Sequence, residues 1–97
     1  MPLYITLFNW TEQGIKNIKS LPERIENSIK AAEQFGGKIH GVYVTMGPYD
    51  LVSIGEWPSG ESASTTALAI ASRGNVRSVS MRAFTPTEFA EVTKKLP

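Results

Sequence analysis

The stretch Thr45-Met46-Gly47-Pro48-Tyr49-Asp50-Leu51 narrows most what this chain can become. Gly47-Pro48 separates two apolar runs, residues 39–44 and 51–54. A Gly-Pro pair between β-prone runs marks a tight turn. The turn predicts a hairpin, with Tyr49 and Asp50 opening the returning strand, and the remaining elements arrange themselves around it.

Residues 3–8 mix β-branched and aromatic side chains and predict a first strand. Thr11 is placed to cap a short helical turn through Ile15 and Ile18. Ser20 and Glu23, three apart, read as a capping box for a helix that carries Ile25, Ile29, Ala32 and Phe35 at helical spacing. Gly36-Gly37 supplies its left-handed stop. The hairpin strands follow, and Pro58-Ser59-Gly60 breaks the second of them. Ala63, Ala67, Ile70 and Ala71 form a narrow helical stripe closed by Arg73-Gly74. Residues 76–84 predict a fourth strand. Thr85-Pro86-Thr87-Glu88 then opens a last helix: threonine caps, proline takes the first helical position, glutamate completes the box, and Phe84 and Phe89 form a hydrophobic staple.

The order β-α-β-β-α-β-α contains two strand-helix-strand units that meet at the hairpin. A faint repeat supports this: Asn9-Trp10-Thr11 and Glu56-Trp57-Pro58-Ser59 each end a strand in tryptophan before a helix start. The expected fold is α+β and ferredoxin-like, a four-stranded antiparallel sheet with an added C-terminal helix, forming one domain over residues 1–97.

Composition closes off several functions. Ten basic and nine acidic residues leave a net charge of +1 with no basic run, which speaks against nucleic acid as a partner. Cysteine is absent and His40 is the single histidine, so thiol chemistry and histidine-rich metal sites have no residues to use, and no cofactor is expected. No leader and no long apolar run is visible, so the expectation is a cytoplasmic location without membrane contact.

In the usual ferredoxin-like order, alternation divides the strands into two faces. The more aliphatic set, including Leu3, Ile5, Leu7, Val42, Val44, Val52, Ile54, Val79 and Met81, is expected beneath the helices. Tyr4, Thr6, Phe8, Tyr43, Leu51, Ser53, Ser78, Ser80 and Arg82 are expected on the uncovered face. An exposed aromatic sheet face predicts assembly with further copies of the chain. At one end of the sheet, the helix-facing parity brings together Asn9, Asp50 and Arg77, one from each of three adjacent strands, with Asp50 and Arg77 about 10 Å apart across Asn9. Trp10, Tyr49 and Asn75 lie beside them. A carboxylate, an amide and a guanidinium together are chemically suggestive, since arginine can clamp an anion and aspartate can act as a base. The plainer reading, an Asp50–Arg77 pair that fixes the turn, is preferred. His40, without a carboxylate partner in the pattern, reads as a solvent-facing residue, and Trp10 and Trp57 read as packing anchors.

Several of these motifs are familiar together. The opening Met1-Pro2 with Tyr4-Ile5, then Asn9-Trp10-Thr11 with Gln13-Gly14, Thr45 through Val52, Gly74-Asn75-Val76-Arg77 and Arg82-Ala83-Phe84-Thr85 resemble the GYD domain family over nearly the whole chain. The family's Gly-Tyr-Asp motif is carried by Gly47, Tyr49 and Asp50, with Pro48 inserted; Ser78 and Ser80 stand where threonines are expected. The resemblance implies a compact ferredoxin-like domain similar to dimeric α/β-barrel proteins. It implies no established activity and carries no catalytic residues over.

Two functional readings follow. The first is a self-assembling module that binds a small metabolite between helices and sheet. The alternative is a cofactor-independent enzyme of the small α/β-barrel monooxygenase or isomerase type, with Asp50 as base, Arg77 as clamp and Asn9 or Tyr49 as donors; it rests on fold analogy. RNA binding through Tyr4, Phe8, Tyr43 and Arg82 is disfavoured by the missing basic surround.

Overall fold

Each chain-reversing signal acts where the sequence places it. A computed structural model describes all 97 residues. Strand β1 (Leu3–Trp10) is followed by a one-turn helix α1 (Glu12–Lys16), whose Thr11 cap accepts from the Gly14 amide. A 3₁₀ turn (Ile18–Ser20) runs straight into α2 (Leu21–Gln34). That continuity removes the expected Ser20–Glu23 capping box: the Ser20 hydroxyl instead donates to the Asn17 carbonyl at 2.7 Å. Gly36 ends α2 at φ 82°.

Strands β2 (Lys38–Val44) and β3 (Leu51–Glu56) form the hairpin, with Gly47 at φ 145° in its turn. Helix α3 (Gly60–Ala71) is capped by Ser59, and Gly74 at φ 83° turns the chain into β4 (Val76–Ala83). Helix α4 (Pro86–Thr93) carries the full Thr85–Glu88 capping box. Phe84 and Phe89 meet edge to face at 5.7 Å, forming the staple.

The sheet is antiparallel in the order β2-β3-β1-β4, as the split βαβ pattern requires. The fold is ferredoxin-like α+β. Its two faces, however, are exchanged on three strands. Thr6, Phe8, Leu51 and Ser53 are buried against α2 and α3, while Leu3, Ile5, Leu7, Val52 and Ile54 are only half-buried and Val79 and Met81 are exposed. Val42, Tyr43 and Val44 on β2 keep their expected sides, with Val44 exposed at the strand end, because a bulge between Ile39 and Gly41 shifts that strand's register against β3. The bulge also sets His40 Nε2 3.4 Å from Glu56, a carboxylate partner that the pattern did not reveal.

The exchange has a packing reason. The covered face needs small residues beneath close helices and one large anchor. Trp57 is that anchor: its indole N–H donates to Thr66 Oγ1 at 3.0 Å, Tyr4 meets it edge to face at 6.0 Å, and a side chain at Gly55 would strike its ring at 2.9 Å. The buried Thr6 hydroxyl pairs with that of Ser80 at 3.0 Å. Tyr4 and Phe8, which had suggested an RNA-binding platform, therefore lie beneath helices.

Beyond β4 the chain leaves the body. Every residue from Phe84 onward is exposed. The radius of gyration is 14.7 Å, against about 12.5 Å for a compact chain of this length. No helix is long and apolar enough to cross a membrane.

Candidate functional site

Three places were built by different parts of the chain: the polar end of the sheet, a latch beside it, and a cavity under the helices. At the sheet end, β1 and β4 pair Asn9 with Arg77, and Asp50 precedes Leu51, the partner of Phe8. These three share the parity of the uncovered face, so they lie at its edge and not at the mouth of the helix-covered layer. Asp50 Oδ2 accepts from the Trp10 backbone N–H at 2.8 Å and from Asn9 Nδ2 at 3.5 Å. Asn9 Nδ2 also donates to the Pro48 carbonyl at 2.9 Å. The Asp50 amide bonds to the Phe8 carbonyl at 2.8 Å, and Thr45 Oγ1 donates to the Tyr49 carbonyl at 2.6 Å. The Gly-Tyr-Asp motif thus pins the hairpin turn onto the end of β1. Arg77 is exposed and takes no part in the ion pairs, so the expected Asp50–Arg77 contact is not made. Asp50's charge is met by N–H donors on its own side, which leaves Arg77 no pull across β1.

Asn75 belongs to the latch. Its carbonyl accepts from the Thr11 amide at 3.0 Å, and its Oδ1 from Gln13 Nε2 at 3.0 Å. Thr11 Oγ1 donates to the Gly74 carbonyl and Gln13 Nε2 to that of Arg73 at 2.9 Å. Gly14 is needed because a Cβ there would run into the Asn75 carbonyl oxygen. The motifs Asn9 to Gly14 and Gly74 to Arg77 are separated by some sixty residues, yet most of their polar atoms serve to hold α1 against the entry to β4.

The cavity lies between α2, α3 and the covered face, with a volume of about 90 Å³. Trp10, Ile25, Leu51, Trp57 and Ile70 are among its apolar walls, and Asn75 reaches it from the latch. Its one charged lining residue is Arg24. Arg24 Nη2 donates to the Gly14 carbonyl at 3.3 Å, and the guanidinium stands 5.9 Å from the Trp10 ring centre. Nε and Nη1 are sealed from solvent with no acceptor in the chain. Arg24 did not figure among the expected site residues. Its signal was available: with Leu21, Ile25, Ser28, Ile29 and Ala32 it falls on the inward stripe of α2, where an arginine breaks the apolar pattern.

The six expected residues therefore divide. Asn9 and Asp50 meet at the turn; Tyr49 contributes its carbonyl there; Arg77 stands apart; Trp10 and Asn75 reach the cavity. No group of three metal-ligating side chains is clustered.

Residues 4–93 match the sequence pattern of the GYD domain. The chain belongs to the GYD domain family. A relative from Thermus thermophilus, described as a glutamine synthetase and cystathionine beta-lyase binding protein, is 32% identical over 84 residues, spanning 86% of this chain and 88% of the relative. Among solved structures, this GYD domain is similar in fold to a protein from Thermus thermophilus (22% identical, 88% of this chain and 95% of that one, TM-score 0.57). It is also similar in fold to the leucine response regulatory protein of Mycobacterium tuberculosis (13% identical, 87% of this chain and 51% of that one, TM-score 0.57).

Proposed function

We propose that this GYD domain is a self-assembling, non-catalytic binding module of the cytoplasm: two copies pair through their uncovered sheet faces, and the crevice under the helices takes a small metabolite. One observation carries the assembly. The sheet face opposite the helices is aliphatic, with Leu3, Ile5, Leu7, Val52 and Ile54 beside the exposed Val79 and Met81, and the α4 segment on the same chain presents Phe84, Phe89 and Val92 to solvent. The occupant is a second copy on grounds of area. The chain exposes 6425 Å², against about 5,500 Å² for a monomer of its mass. The excess matches the ~800 Å² that each partner buries in a standard interface. A sheet face and an unpacked helix from one chain are what a two-fold pair exchanges.

The polar end favours a binding role over catalysis, because Asp50 is engaged by the backbone and Arg77 stands away from it. The Thermus relative's described binding of two enzymes supports the same preference. Sedimentation at micromolar concentration is expected to give a dimer or a higher closed assembly. Val79→Asp, on the uncovered face, is expected to shift it to monomer while circular dichroism stays unchanged. A wild-type chain that sediments only as monomer would end the proposal.

A further inference from the structure

The geometry points to a specific chemistry for the crevice: we infer that it receives a short-chain monocarboxylate, with the carboxylate on Arg24 and the alkyl chain among the tryptophan and aliphatic walls. This rests on the proposal that the crevice is a ligand site, and names what the ligand must be.

The argument begins with charge. A guanidinium stays protonated in proteins and cannot escape burial by losing its proton. Arg24 Nε and Nη1 are closed to solvent, and neither has an acceptor. No aspartate or glutamate lines the cavity, and Arg24 is absent from the chain's ion pairs. The Gly14 carbonyl engages only Nη2, and the Trp10 ring at 5.9 Å offers a weak cation–π contact. Guanidinium N–H groups closed off without acceptors are costly, and an anion in the crevice supplies them once the half-buried side chain turns toward it. A carboxylate does so through charge-assisted hydrogen bonds.

The walls then choose among anions. Ile25, Ile29, Leu51, Trp57 and Ile70 offer hydrocarbon and aromatic surface. An inorganic oxyanion would waste that surface, whereas an alkyl chain would be desolvated against it. Size sets the length. A cavity of about 150 Å³ holds the six heavy atoms of benzene, so 90 Å³ encloses roughly four, the size of acetate, and the alkyl tail of propionate or butyrate extends toward the open mouth of the crevice. Ser28 and Ser53 also line the space and can bond a further carboxylate oxygen.

The test is a titration of the intact protein with butyrate, with neutral 1-butanol and with inorganic phosphate. It is followed by calorimetry and by tryptophan fluorescence, since Trp10 and Trp57 both line the cavity. Butyrate is expected to bind saturably and at least tenfold more tightly than butanol or phosphate. Arg24→Met is expected to abolish that preference and to hold butanol as well as the native chain does or better. Arg24→Lys, which keeps a charge, is expected to retain part of the preference, and serves if the methionine variant does not fold. Equal binding of butyrate and butanol, unchanged in either variant, would overturn the carboxylate assignment and leave the crevice as a ligand site. Phosphate binding as tightly as butyrate would overturn the alkyl requirement. Binding of none of the three would remove both the assignment and the crevice reading beneath it.

Discussion

The two faces of one sheet share a backbone and differ in what completes them. The covered face is completed by its own chain. It is the less aliphatic of the two, yet Phe8 and Leu51 are only 8% and 7% exposed because α2, α3 and Trp57 close over them. The uncovered face has the better hydrocarbon surface and leaves Val79 52% exposed. Residue type alone would rank them the other way. Hydrophobicity says that a face must be buried; which neighbour buries it depends on the helix connections and on side-chain size. Small residues suit a face that helices approach closely, and Ser53 and Gly55 serve that purpose. Branched aliphatics suit a face that meets another sheet.

This comparison breaks most visibly through the core. Phe8→Ala removes a buried ring from the covered face and is expected to cost about 3–5 kcal/mol of stability, read from denaturant melts of the isolated variant. The matching truncation on the other face, Val79→Ala, is expected to change monomer stability little and to weaken assembly in sedimentation. If Val79→Ala destabilises as much as Phe8→Ala under dissociating conditions, the assignment of faces is wrong.

A smaller effect separates structure from chemistry at the sheet end. Asp50→Ala strands the Trp10 N–H and is expected to cost about 1–3 kcal/mol. Asp50→Asn keeps an acceptor oxygen for that N–H and is expected to recover most of the loss in thermal melts. A protein insensitive to both changes would detach Asp50 from its turn-fixing role.

The smallest effect lies in α4, and concerns pH. The Glu88 carboxyl is held below the usual glutamate range, first by the backbone N–H of Thr85 and then by its hydroxyl. A lowered folded-state value means that the box stabilises α4 fully above the ordinary glutamate range and loses that contribution as pH falls through the depressed value. The protection of the Thr85 amide, taken relative to the intrinsic exchange rate at each pH, is expected to fall only on that acid side; a fall in protection confined to the alkaline side of neutrality would contradict the capping geometry.

Much of the architecture was legible in the residues. Turn glycines, caps at Thr11 and Thr85, the staple and the strand order all follow from local rules and from the right-handed linkage of strand-helix-strand units. The site was legible in part. Asn9 and Asp50 share a parity and meet; Arg77 shares it and stands apart, because a shared face does not specify which donors a carboxylate takes. Arg24 was visible only as a charge on an apolar stripe.

What the sequence by itself determined is the set of elements, their order, and the division of each strand into two alternating faces, since these depend on contacts a few residues long. Which face the helices cover, where the β2 bulge shifts the register, and how Arg24 comes to lie with two nitrogens sealed beside an apolar cavity were decided only by the tertiary structure. Those outcomes require α2, α3 and the sheet to be placed against one another at once. A period-two pattern has the same form whichever side is up, and only the close fit of helix on small residue and Trp57 breaks that symmetry.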